Sequence, residues 1–208
     1  MDEPRHLELA KPEPASVLPY RSPHEKQDTT QFLGMVIFLC AWVMLFCGLF
    51  LTYGVIRSTQ PSWPPPGMPK PPVLLAGVNT VLILLAGVAY QLGQRALRSG
   101  ARARSIQAFA ATVVLGGMFL ALQAAMWSDL MARGLSLESG PYGEFFLVLT
   151  GFHALHLGVG EAALLYVISQ TWRGLFNSAR LQAVRLWGMY WHSVTAIWCL
   201  TYLFVYVV

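Results

Sequence analysis

Three histidines and one carboxylate stand inside stretches that are otherwise apolar. His153 and His156 fall three residues apart within Gly151, Phe152, His153, Ala154, Leu155 and His156, and His192 lies in a later apolar run. A spacing of three puts two imidazoles on one side of a helix, and a third from a neighbouring helix would complete a metal site. His156 facing His192 would instead suit a haem held between two helices, but no second pair exists for a two-haem relay. The HxxH run lacks the glutamate of HExxH. The plainer chemistry is that of buried hydrogen bonders locking helices together, and that is the expectation for all three.

Glu161 is the one acid well inside an apolar run, and an intramembrane carboxylate is a functional candidate by default, for proton exchange or for an interhelical bond. At 100° per residue it points roughly 140° away from His156, so the two are not paired within one helix. Glu144 reads as charge compensation at a helix start. Asn79 and Gln123 are uncharged amides suited to interhelical bonds. Cys40, Cys47 and Cys199 show neither CxxC spacing nor loop pairing, so no disulfide framework or zinc ribbon is expected. No nucleophile and base pair, phosphate loop or acid cluster is apparent.

The elements that must position these residues follow from composition. Of 208 residues, 55% are apolar and only 12% charged, against about 25% charged in soluble domains, which excludes a soluble globular chain. Mean hydropathy is +0.51. Residues 1–30 are polar and interrupted by Pro4, Pro12, Pro14, Pro19 and Pro23, and read as a disordered arm, not a cleavable leader. Residues 31–208 form one membrane domain. Nearly charge-free runs predict an all-α integral membrane bundle of five transmembrane helices, at about 31–56, 72–94, 105–128, 143–170 and 186–208.

Arginine and lysine gather in the arm, in the second loop (Arg95, Arg98, Arg102, Arg104) and in the fourth (Arg173, Arg180, Arg185). The amino terminus is therefore predicted in the cytoplasm and the carboxyl terminus outside. The surplus is too small for a nucleic-acid partner. Between the first two helices, Trp63, Pro64, Pro65 and Pro66 predict a stiff surface connector, with Trp63 at the interface. Glycines 34, 48, 77, 87, 116, 117, 151, 158 and 160 predict close helix packing.

At these residues the chain resembles subunit III of the haem-copper terminal oxidases. Gly151 to His156 match its GFHxLH run, and Tyr190, Trp191 and His192 match the YWH of its last helix, with Trp198 following. Asn79 with Thr80, Gln123 and Pro141 to Gly143 extend the likeness from about Gln31 to Val208. It is similar to the short five-helix form. The resemblance implies a non-catalytic subunit without cofactors of its own, docked on catalytic subunit I, which carries the haem and copper. It also implies bound phospholipid in a cleft, support of proton uptake, and residence in a prokaryotic cell membrane.

The Trp63, Pro64, Pro65 turn is more like the cytochrome c oxidases than the quinol oxidases. Three acids usual in the family are replaced, by Trp42, Met126 and Thr195, while Glu161 stands where the family has a small or apolar residue. Competing functions are an accessory membrane protein of nitric-oxide reductase, a free-standing haem- or metal-dependent membrane protein using His153, His156 and His192, and an ion-coupled transporter centred on Glu161.

Overall fold

Residues 23–175 and 178–207 are described by a computed structural model. They form five α-helices: α1 (Pro23–Thr59), α2 (Val73–Arg98), α3 (Arg102–Ala132), α4 (Pro141–Trp172) and α5 (Ser178–Thr201), the last continued by a π-helical turn, Tyr202–Val207. The fold is all-α, and α1 to α4 are long and apolar enough to cross a membrane. α5 does not join them on hydropathy, because Arg180, Arg185, His192 and several tryptophans and tyrosines lie in it.

The helices overrun the predicted spans. α1 starts at Pro23, so residues 23–30 are helical, while residues 1–22 of the expected arm lie outside the described residues, as does Val208. α2 runs on to Arg98, α3 covers Arg102–Ala132, α4 covers Pro141–Trp172, and α5 starts at Ser178, where the sequence suggested 186. A charge-free run measures the hydrocarbon crossing. Helical hydrogen bonding continues through the headgroup zone, where arginine and lysine extend their charged ends into water.

Local chemistry sets the connections. Gly100, at φ 75°, allows the three-residue turn between α2 and α3. Pro141 occupies the first turn of α4, where its missing N–H is not needed. Successive helices alternate in direction. Arg102, at the start of α3, donates from Nε to the Thr171 carbonyl at the end of α4 (3.0 Å) and also to that of Trp172. At the opposite end Tyr142 of α4 donates to the Pro69 carbonyl of the first loop (2.8 Å).

α2, α3, α4 and α5 pack in a closed ring, and α1 leans on its outside, chiefly against α5 and α4. α1 buries one stripe only, Leu39, Trp42, Phe46 and Tyr53, leaving most of its surface exposed. Glycine packing is more selective than the sequence suggests. A Cβ at Gly77, Gly87, Gly116 or Gly160 would meet another helix or the π-turn, as would one at Gly93 or Gly188, whereas Gly34, Gly48, Gly117, Gly151 and Gly158 have nothing within 4 Å. Those five face outward, where a small residue creates no helix contact.

Trp63 is half-buried and bonded inside the protein. Its Nε1 donates to the Tyr53 hydroxyl (3.0 Å) and its ring meets Tyr142 edge-on at 5.3 Å. This pins the proline-rich loop to α1 and α4. Trp63→Phe keeps the ring and removes the donor, and is expected to lower stability by about 1 kcal/mol. Detergent unfolding curves of the two purified chains will measure the difference.

Candidate functional site: a polar seam inside the helix ring

The four-helix ring encloses a line of polar groups, each delivered by the inward face of its helix. Asn79 of α2 and Gln123 of α3 are fully buried, and Asn79 donates from Nδ2 to Gln123 Oε1 at 3.3 Å. Gln123 donates in turn from Nε2 to the Tyr206 hydroxyl at 3.4 Å, so α2, α3 and the π-turn share one chain of hydrogen bonds. Trp198 of α5 donates from Nε1 to Thr80 Oγ1 at 3.0 Å, and the Thr80 hydroxyl is spent on the Ala76 carbonyl. Between α3 and α4, Trp127 Nε1 donates to Thr150 Oγ1 at 3.0 Å.

His153 follows along α4. It is fully buried, packs against Trp198 (centroids 4.9 Å) and Phe119 (5.6 Å), and neither ring nitrogen has a hydrogen-bond partner. Glu161, two turns further on, is only 8% exposed. Its carboxyl group lies against the bare Cα of Gly116 on α3, beside the edge of Trp191, and Oε1 has no hydrogen-bond partner. Absence of a side chain at Gly116 is what makes room for the acid.

The other two histidines point elsewhere. His156 is turned about 60° round α4 from His153, toward α1, where it stacks on Trp42 (4.8 Å, 25°). Its Nδ1 lies 2.6 Å from the Phe152 carbonyl, and its own carbonyl accepts from Tyr190 at 2.8 Å. His192 faces α2, with Nε2 3.3 Å from Gln91 Nε2 and Gly87 beneath its ring. The three imidazoles are thus distributed over the ring interior, the α1 contact and the α2–α5 groove. Among the described residues no three His, Cys, Asp or Glu side chains are grouped to hold a metal ion.

Gly151 and Phe152 sit on the outer face of α4, Phe152 being 41% exposed, while Tyr190, Trp191 and Trp198 are buried. The GFHxLH run therefore splits between outward-facing and interior positions. The structure also places the three positions, 42, 126 and 195, at which the resemblance implies an acid. Trp42 is buried, stacked on both His156 and Tyr190 (5.7 Å). Met126 is buried, and the Thr195 hydroxyl donates to the carbonyl of Trp191 on its own helix (3.0 Å). Glu161 opens toward α3, whereas Trp42 meets α4 and α5 from the outside, so the two side chains occupy different places in the bundle.

Sequence reasoning did not single out Thr80 or Tyr206 as partners in the seam, nor Trp42 as the anchor of α1. Thr80 and Tyr206 were visible as hydroxyls within apolar runs, and only the crossing of the helices assigns them partners.

Chemically, this arrangement holds helices together through buried amides, hydroxyls and indoles. It keeps two proton-exchangeable groups, His153 and Glu161, away from water. A closed ring of long apolar helices with an aromatic and amide interior defines a polytopic membrane protein of the helix-bundle class. The family model for cytochrome c oxidase subunit III matches residues 20–208, and the chain belongs to that family. It is 33% identical over 187 residues to cytochrome c oxidase subunit 3 of Synechocystis sp., covering 88% of this chain and 78% of that one. The subunit 3 of Lumbricus terrestris is 34% identical over 180 residues, covering 83% and 68%. That of Sus scrofa is 31% identical over 180 residues, covering 83% and 67%.

Proposed function

We propose that this chain is the non-catalytic third subunit of a respiratory haem-copper oxidase in a prokaryotic cell membrane. It crosses the membrane five times, with α5 and its π-turn as the fifth span, the amino terminus in the cytoplasm and the carboxyl terminus outside. It packs on the catalytic subunit that carries haem and copper, stabilises it, holds phospholipid and supports proton uptake during oxygen reduction. His153, His156, His192, Asn79, Gln123 and Glu161 serve as interhelical groups that set its shape, not as ligands or catalysts. The observation that supports this most is the match to the subunit III family across nearly the whole chain.

Purification from the native membrane in mild detergent is the test. The chain is expected to come with a haem- and copper-bearing polypeptide, and to be colourless once separated from it. Recovery without such a companion, or a stoichiometric Soret band on the isolated chain, would overturn the reading. His153→Ala and His192→Ala are expected to lower, by a factor of several, the fraction that stays with the catalytic subunit through washing, because the first leaves a cavity at a fully buried position and the second removes a half-buried contact between α2 and α5. The partner's Soret maximum is expected to stay where it is, and a shifted band would instead put these imidazoles next to the redox centre.

A further inference from the structure

The α2–α5 groove widens, near the α2–α3 turn, into a recess of about 360 Å³ lined by Gln91, Arg95 and Arg98 of α2 and Arg185 and His192 of α5. Three arginines line it, and among the described residues no carboxylate does. Arg133 pairs with Asp129 at the opposite end of the bundle, whereas among the described residues no ion pair is seen at Arg95, Arg98 or Arg185. Arg185 lies with Cζ 5.9 Å over the ring of Phe32 on α1. That contact occupies the face of the guanidinium and leaves its in-plane N–H groups free to donate.

What adjoins the recess selects among anions. Arg98, Arg95, Gln91, Val88, Leu84 and Val81 succeed one another at steps of three or four and so form one stripe along α2. Its polar upper part gives way to exposed apolar side chains, with Val88 57%, Leu84 47% and Val81 55% accessible. On α5 the corresponding series passes from Arg185 through His192 to exposed Ala196 and Leu200. A cationic recess continued by an apolar bed is amphipathic in the same sense as a phospholipid. Basic pockets between membrane helices are a recognised setting for anionic headgroups. A soluble anion would have no use for the apolar bed, and an acidic protein surface would not need the recess.

We propose that this recess binds the phosphate headgroup of an anionic phospholipid whose acyl chains lie along Val88, Leu84 and Val81. The inference rests on the proposed membrane embedding and is independent of which polypeptide the chain accompanies. Arg95, Arg98 and Arg185 supply in-plane donors that match phosphate oxygens, and Gln91 and His192 form the floor.

The test uses the full chain, with whatever co-purifies, in nanodiscs of dioleoylphosphatidylcholine doped with dioleoylphosphatidylglycerol, and native mass spectrometry to read the lipid retained. Wild type is expected to keep phosphatidylglycerol in preference to phosphatidylcholine. Each arginine changed to glutamine, at 95, 98 or 185, is expected to reduce that retention about fivefold. Arg133→Gln, at the other end of the bundle, is expected to change nothing. Arg95→Lys with Arg98→Lys keeps the charge and is expected to keep most of the retention, separating loss of charge from loss of fold.

Equal retention by wild type and the glutamine variants would overturn the site. So would displacement of the lipid by inorganic phosphate, which would assign the recess to a free anion. Loss of a partner polypeptide from the glutamine variants, with lipid unchanged, would overturn it in favour of an acidic protein surface. A chain that keeps its oxidase partner yet shows no lipid preference sinks this site alone. A chain that holds the lipid but brings no partner sinks the oxidase reading alone.

Discussion

Trp198→Ala is expected to lower the stability of the bundle by about 3 kcal/mol. Trp198 is fully buried, meets Phe119 edge-on at 4.6 Å, packs on His153 and Tyr206, and bonds Thr80 across the ring. In a water-soluble core the same truncation costs about 3–5 kcal/mol, part of it transfer from water and part the cavity left behind. In lipid the transfer part shrinks, because the surroundings of the unpacked helix are also apolar. The cavity and the orphaned Thr80 contact remain, which places the loss at the lower edge of that range. Trp198→Phe refills most of the volume and is expected to cost about 1 kcal/mol for the missing donor. Unfolding of the purified chain by titration with sodium dodecyl sulfate will rank the three proteins. Near-equality of the alanine and phenylalanine variants would show that the bundle collapses around the cavity, and would sink the estimate.

Gly116→Val is expected to cost a similar amount, about 3 kcal/mol, for the opposite reason. Even a Cβ at this position overlaps the Glu161 carboxyl group and comes within 3.1 Å of Cη2 of Trp191. The carboxyl group is the end of a flexible side chain and can retreat. Trp191 is fully buried and held on the α4–α5 side, with Gly160 against its ring, so it cannot. Overpacking of this kind costs about 1–3 kcal/mol. Glu161→Ala in the same chain removes the first obstacle and leaves the second, so the double variant is expected to recover about half of the loss. The coupling energy of the cycle, about 1–2 kcal/mol, is the diagnostic quantity. Strict additivity would mean that α3 and α4 separate locally and that the acid does not depend on the glycine.

Much of the scaffold is legible as hydropathy. The charge-free runs locate all five helices, four of which are apolar enough along their length to cross a membrane. Helix ends are less legible, since the hydrogen bonds of α1 between Pro23 and Thr30 depend on the backbone and not on burial. The π-turn at Tyr202–Val207 leaves no trace in composition, because it is a change of hydrogen-bond register within an unbroken apolar run. Site residues divide in the same way. Asn79, Gln123, Glu161 and the histidines stand out by residue type, because polar groups in an apolar run are costly. Their partners do not stand out: nothing along the chain says that Asn79 meets Gln123, that Glu161 meets Gly116, or that His153 and His156 diverge. Those pairings are set by the rotation of one helix against the next, which depends on many small contacts at once.

α1 is the most apolar of the four spans and touches the rest of the molecule chiefly through α4 and α5, the last helices to be made. While α2 and α3 are being produced, the two helices that α1 chiefly packs against do not yet exist, and its main helix contacts must wait. An oily surface on every side is what lets it wait without aggregating with something else. The stripe that carries Trp42 is then a late fastening, engaged only when synthesis is nearly finished.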